Sequence, residues 1–229
     1  MRDLEVLDAK QVRIFAVDAL PIDRLGLASA ALRERFNWDK GEVQADGDLL
    51  LQGGASPAKG DPNAVIIRTL QLGSRRIVLS VVGDTRDADR IYSELIEVLV
   101  SATGRESWRA QPVLKVHETA AVVTLDVDPR ALIAPALLSF VDQAGNQLSL
   151  EKVRAWWREF SLSFKFSYDL ETHDLKEYST TVSDKLLTIE PRSGLPLDGR
   201  RYFTKSPVDT DTHRALLEDL ERRLTAQAR

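Results

Sequence analysis

The chain has 229 residues, 43% hydrophobic and 29% charged, a composition that folds around a core and excludes fibrous or wholly disordered architectures. Its formal charge is 31 − 35 = −4, shared as 15 − 17 = −2 before residue 110 and 16 − 18 = −2 after it, so neither half is a basic module built for a phosphate backbone. No cysteine is present, which removes disulfides, thiolate nucleophiles and cysteine-ligated zinc or iron-sulfur centres.

The opening MRDLEVLDAKQ carries acids where a secretory leader needs a basic start and an apolar run. No stretch approaches the roughly 18 apolar residues of a membrane span. The expected location is the cytoplasm, without membrane association.

Residues Val12 to Val17 read as a strand, stopped by Asp18-Ala19-Leu20-Pro21. Leu25, Ser29, Leu32 and Phe36 then recur at helical spacing, predicting a helix from Ile22 to Phe36. An acidic turn region and the short run Leu49-Leu50-Leu51, read as an edge strand, lead to GGASPAKGDPN, a flexible loop over Gly53 to Asn63. AVIIRTLQLG and SRRIVLSVV, divided by Gly73-Ser74, predict a hairpin. Asp84 or Thr85 caps the next helix, whose apolar face holds Ala88, Ile91, Leu95, Val98, Leu99 and Ala102.

Thr103 to Pro112, with Gly104, mixed charge and a proline, is the best boundary, and divides the chain into units 1–108 and 109–229. Val113 to Asp126 is strand-rich, and Asp128-Pro129 introduces an apolar segment from Leu132 to Val141. Pro135 suits the first turn of a helix that begins near Ala134 and breaks one that begins earlier. Ser149 opens a further predicted helix with Leu150, Val153, Trp157 and Phe160 on one face and Trp156 on another flank. Next, Leu162, Phe164, Phe166 and Tyr168 alternate with Ser161, Ser163, Lys165 and Ser167, a strand with one core-like face and one that is wet or awaits a partner. Two more strands, Val182 to Glu190 and Arg201 to Thr204, precede a last helix opened by Asp209 or Thr210, with Leu216, Leu217, Leu220 and Leu224 as its seam.

The element order of the first half recurs in the second. Asp18 and Pro21 are matched by Asp126 and Pro129 at an offset of 108, and Asp84-Thr85 by Asp209-Thr210 at an offset of 125. Such pairs also mark strand exits and helix caps in unrelated proteins, so duplication and ordinary punctuation both stand. The fold class is α+β: antiparallel or mixed sheets packed against long amphipathic helices, with two related α/β-type units sharing one continuous sheet as the arrangement a duplication implies.

Chemistry is sparse. His117, His173 and His213 are isolated from one another, and no nucleophile turn, phosphate-binding loop or zinc motif occurs. Glu171-Thr172-His173-Asp174 is the most metal-like composition and equally a polar connection. The acids Asp84, Asp87 and Asp89 suit the positive end of a helix rather than a cation loop. No metal, cofactor or catalytic residue is assigned.

The residues point to a noncatalytic protein-interaction or assembly role, with another protein or a second copy as partner and Trp156, Trp157, Arg158 and Phe160 as interface candidates. One alternative is a nucleic-acid-binding module using Arg68, Arg76 and Lys165 on a sheet surface. The other is a small-ligand-binding protein or an enzyme with its site between the halves, near His117 or His173.

Overall fold

The computed structural model describes residues 1–16, 19–57, 60–148, 161–167, 185–192 and 200–227. The predicted helix after Ser149, with Trp156, Trp157, Arg158 and Phe160, lies outside the described residues, as does the tract around His173.

The strands are β1 (Asp3–Ile14), β2 (Lys40–Val43), β3 (Leu49–Ser56), β4 (Val65–Leu72), β5 (Arg76–Val82), β6 (Leu114–Thr124), β7 (Leu162–Phe166), β8 (Lys185–Pro191) and β9 (Arg201–Ser206). The helices are α1 (Leu25–Phe36), α2 (Thr85–Thr103), α3 (Pro135–Leu148) and α4 (Thr210–Gln227). The nine strands form one sheet in the order β2-β3-β4-β5-β1-β6-β9-β8-β7, and every neighbouring pair is antiparallel. The fold is therefore α+β.

The first core lies between the β3-β4-β5-β1 part of the sheet and the helix pair α1 and α2. Helix α1 contributes Leu25, Ala28, Leu32 and Phe36, and α2 contributes Ala88, Ile91, Leu95, Ile96 and Leu99. The faces follow from spacings of three and four residues, which return to one side of a helix. Asp84 caps α2 by accepting from the amides of Arg86 and Asp87, and the Asp87 carboxylate accepts from the Asp84 amide in return. Gly104 ends the helix at φ 65, a left-handed position. Trp108, in the 3-10 turn Glu106–Arg109, is wholly buried in this first core and donates its indole N–H to Thr103 Oγ1. The connection between halves is thus bound to the first unit.

Three expectations change. Strand β1 begins at Asp3 rather than Val12, because the charged residues of its start alternate along a pleated strand and pair with β6 from Asp3↔Thr124 onward. Strand β2, in the segment read as an acidic turn, is the sheet edge, so β3 at Leu49–Leu51 is an inner strand. Gly53 and Gly54, read as part of a flexible loop, belong to β3; Gly53 has φ 71, and a side chain on either glycine would collide with Asp39 or Trp38.

The second core is smaller and lies under α4: Val123, Leu125, Ile189, Tyr202 and Leu217, with Leu4, Leu162 and Leu220 packed against it. Pro135 occupies the first position of α3, where its missing N–H costs nothing. Helix α3 makes no more than marginal contact with any other described element, and Leu137 and Phe140 are 53% and 64% exposed.

Candidate functional site

Strand β7 is the outer strand of the sheet at the α4 end, and its alternation sends Leu162, Phe164 and Phe166 to the same side as the residues opposite them, Ile189, Leu187 and Lys185. That side meets α4. Leu162 and Phe164 of β7, with Leu187 and Ile189 of β8, make one wall of a groove of about 300 Å³. Leu216, Leu217 and Leu220 of α4 make the other, and His213, Asp219 and Arg223 also line it. The core-like face expected of this strand is only partly covered: Phe164 is 53% exposed and Leu216 is 44% exposed. An apolar channel at a sheet edge is suited to taking in apolar side chains of another segment.

A polar cluster lies beside the groove, where β1 and β6 pair and the first turns of α2 and α4 meet. The amide of Thr85 donates to Thr210 Oγ1 at 3.1 Å, and the amide of Thr210 donates to Thr85 Oγ1 at 3.3 Å. Gln11 donates to the Thr85 carbonyl and to Asp89, and Arg13 and Lys115 bind the same Asp89 carboxylate. Burial pushes the Asp89 carboxyl up, but Lys115, Gln11 and Arg13 outweigh it and hold it below the ordinary range. Arg13 also lies over the Tyr92 ring, 3.5 Å from its centre. His213 is buried, and its Nδ1 lies 2.8 Å from Thr119 Oγ1. Burial lowers the His213 pKa to about 4, so the ring is neutral at pH 7. His117, half-buried on β6, is lowered by burial and then by the Lys115 charge. Apart from His117, whose buried Nδ1 has no hydrogen-bond partner among the described residues, these groups satisfy one another and neutralise each other's charge. Their arrangement is that of a structural seam.

The structure separates the candidate cations. Opposite residues share a face, and the register Arg76↔Ile14↔Leu114, followed outward through Ala120↔Lys205, Lys205↔Thr188 and Leu186↔Lys165, puts Arg76 and Lys165 on the same face. They are five strands apart, roughly 24 Å at the usual strand spacing. Arg76 binds Asp48 at 3.2 Å, and Arg68, at a β4 irregularity, lies 3.8 Å from Asp8. On that same face Glu118 pairs with Lys205 at 2.8 Å, and Lys185 at the start of β8 reaches it at 3.5 Å. Burial raises its pKa, but Lys205, Lys10 and Lys185 together hold it low. Positive charge here is matched locally by acids.

Among the described residues no group of three or more His, Asp or Glu side chains is placed to hold a metal ion. Among them, too, no helix is long and apolar enough to cross a membrane. Sequence reasoning found the alternation of β7 and the leucine seam of α4, but treated each alone. The signal open to sequence reasoning was that both elements carry an apolar face in need of cover. No protein-family model, curated protein or solved structure matches the chain.

Proposed function

We propose that the protein works by binding a polypeptide, as an interaction or assembly component, through the groove between α4 and β7-β8. The observation that carries this reading is that Phe164 of the outer strand β7 and Leu216 of α4, both about half exposed, line one apolar channel. Large apolar side chains left in water at one place mark a contact surface. The groove's volume of about 300 Å³ suits a few anchoring side chains of a helix or strand.

Site-specific photo-crosslinking tests it. A benzoylphenylalanine at position 164 is expected to trap a discrete polypeptide, either a second copy or another protein, while the same probe at the exposed Leu27 of α1 does not. Equal or absent adducts at both positions would remove the groove as a binding site.

The fold also supports reading the two halves as related units. Strand β1 is followed by α1 and, after more strands, by β5 and α2; β6 is followed by α3 and later by β9 and α4. From the central β1-β6 pair the sheet runs outward through β5 and β4 on one side and through β9 and β8 on the other. Under this reading α1 and α3 are counterparts, as are α2 and α4.

A further inference from the structure

Among its described side chains α4 buries Thr210, His213, Leu217, Glu221 and Leu224, a stripe at the three- and four-residue spacings of one helical face. Most of that stripe is polar. Helix α2, which covers the first core, buries Ala88, Ile91, Leu95, Ile96 and Leu99 and one polar residue, Thr85. Apolar burial therefore holds α2 far more firmly than α4. What α4 has instead are specific polar contacts to other elements. Thr210 exchanges hydrogen bonds with Thr85 of α2, His213 Nδ1 lies 2.8 Å from Thr119 Oγ1 of β6, and Glu221 accepts from the Asp126 amide at 2.6 Å.

We propose that α4 is a pH-sensitive latch, which detaches from the sheet as a unit while the first core stays folded, and which acid releases. The latch is independent of what fills the groove. His213 makes it respond to acid. The ring is buried in the first turn of α4, where the positive end of the helix dipole also opposes an imidazolium. The charged groups around it are engaged elsewhere. Asp209 accepts from the amide and hydroxyl of Thr212, Asp211 pairs with Arg86 of α2 at 2.8 Å, and Asp219 pairs with Arg223 at 2.6 Å. Asp89 of α2 is held by Arg13 of β1 and Lys115 of β6. Arg214 beside the ring in sequence and His117 on the Thr119 face of β6 add no negative charge. Ile189, Thr204 and Ser206, the described β8 and β9 residues on that face, are uncharged. Burial thus keeps the docked ring neutral down to about pH 4, whereas a detached ring in water takes its proton near 6.5. The detached form binds the proton first, so the opening equilibrium rises as pH falls between those values. From pH 7 to pH 5 the rise is about 20-fold.

Native-state hydrogen exchange of the full chain reads detachment helix by helix. At pH 7 the amides of α4 from Leu217 to Leu224 are expected to open more often than those of α2 from Ile91 to Leu99. With intrinsic exchange rates divided out, the α4 opening equilibrium should rise about 20-fold between pH 7 and pH 5 in the native chain and less than about threefold in His213→Gln. Equal opening of the two helices at pH 7 would mean that α4 leaves only when the whole protein unfolds, and would overturn the latch. A rise below about threefold in the native chain, or an undiminished rise in His213→Gln, would overturn it as well. Proton NMR titration of the His213 ring in the native chain needs no folded variant. A ring pKa below about 5 is expected, and one at about 6 or above would leave the helix with no acid trigger and overturn the proposal.

Discussion

Thr85 and Thr210 each donate their backbone N–H to the other's side-chain hydroxyl, across 125 residues of sequence, at the first turns of α2 and α4. An N–H in the first turn of a helix has no partner within the helix, and both threonines are buried from water. The pair therefore joins the two halves through groups that would otherwise be unsatisfied. Replacing either by valine keeps the shape and leaves the opposite amide without its acceptor, so Thr85→Val and Thr210→Val should each cost about 1–3 kcal/mol. Urea unfolding measures this; a loss below about 0.5 kcal/mol for both would mean the contact contributes nothing to holding the halves together.

His213 makes stability depend on pH. Its folded pKa, about 4, lies below the unfolded value of 6.5, so the unfolded chain takes up the proton first. Stability from this group is complete above about pH 6.5 and is lost as pH falls toward about 4, on the order of 3 kcal/mol in all. His117, also lowered, adds in the same direction. Asp89 and Glu118, held low by their cations, add their loss at more acid pH. Urea midpoints at pH 7 and pH 5 should differ in the native protein and differ less in His213→Gln; equal slopes in the two proteins would show that His213 does not carry the effect.

The two phenylalanines of α1 and α3 should behave in opposite ways. Phe36 is fully buried, so Phe36→Ala is expected to cost about 3–5 kcal/mol at any protein concentration. Phe140 is 64% exposed, so Phe140→Ala should stay within about 0.5 kcal/mol. Urea unfolding of the two variants distinguishes them.

Nucleic-acid binding through Arg68, Arg76 and Lys165 should be weak. Arg76 is engaged by Asp48, which is buried and also accepts from Gln71, so Arg76→Ala is expected to destabilise the β3-β4-β5 corner rather than to abolish a binding activity. A salt titration with single-stranded and double-stranded nucleic acid is the measurement. Saturable submicromolar binding that weakens steeply with salt would reverse this preference.

The sequence by itself determined the local elements. The Asp84 cap, the 3.6-residue faces of α1, α2 and α4, the β4-β5 hairpin and the alternation of β7 are all short-range patterns, because caps and periodic faces depend on neighbours within a few residues. Even the matched positions of Thr85 and Thr210 were legible as spacing. What those two residues do was not, since their bonds depend on β1 pairing with β6 and so on contacts between distant parts of the chain. The start of β1 and the edge position of β2 were hidden for a related reason: a charged segment forms a strand when a neighbour supplies its hydrogen bonds, which local composition does not record. The groove shows the division most clearly. Leu162, Phe164 and Phe166 are apolar by sequence whatever covers them, and only the tertiary structure decides that Leu162 packs against the second core while Phe164 and Phe166 stay half in water.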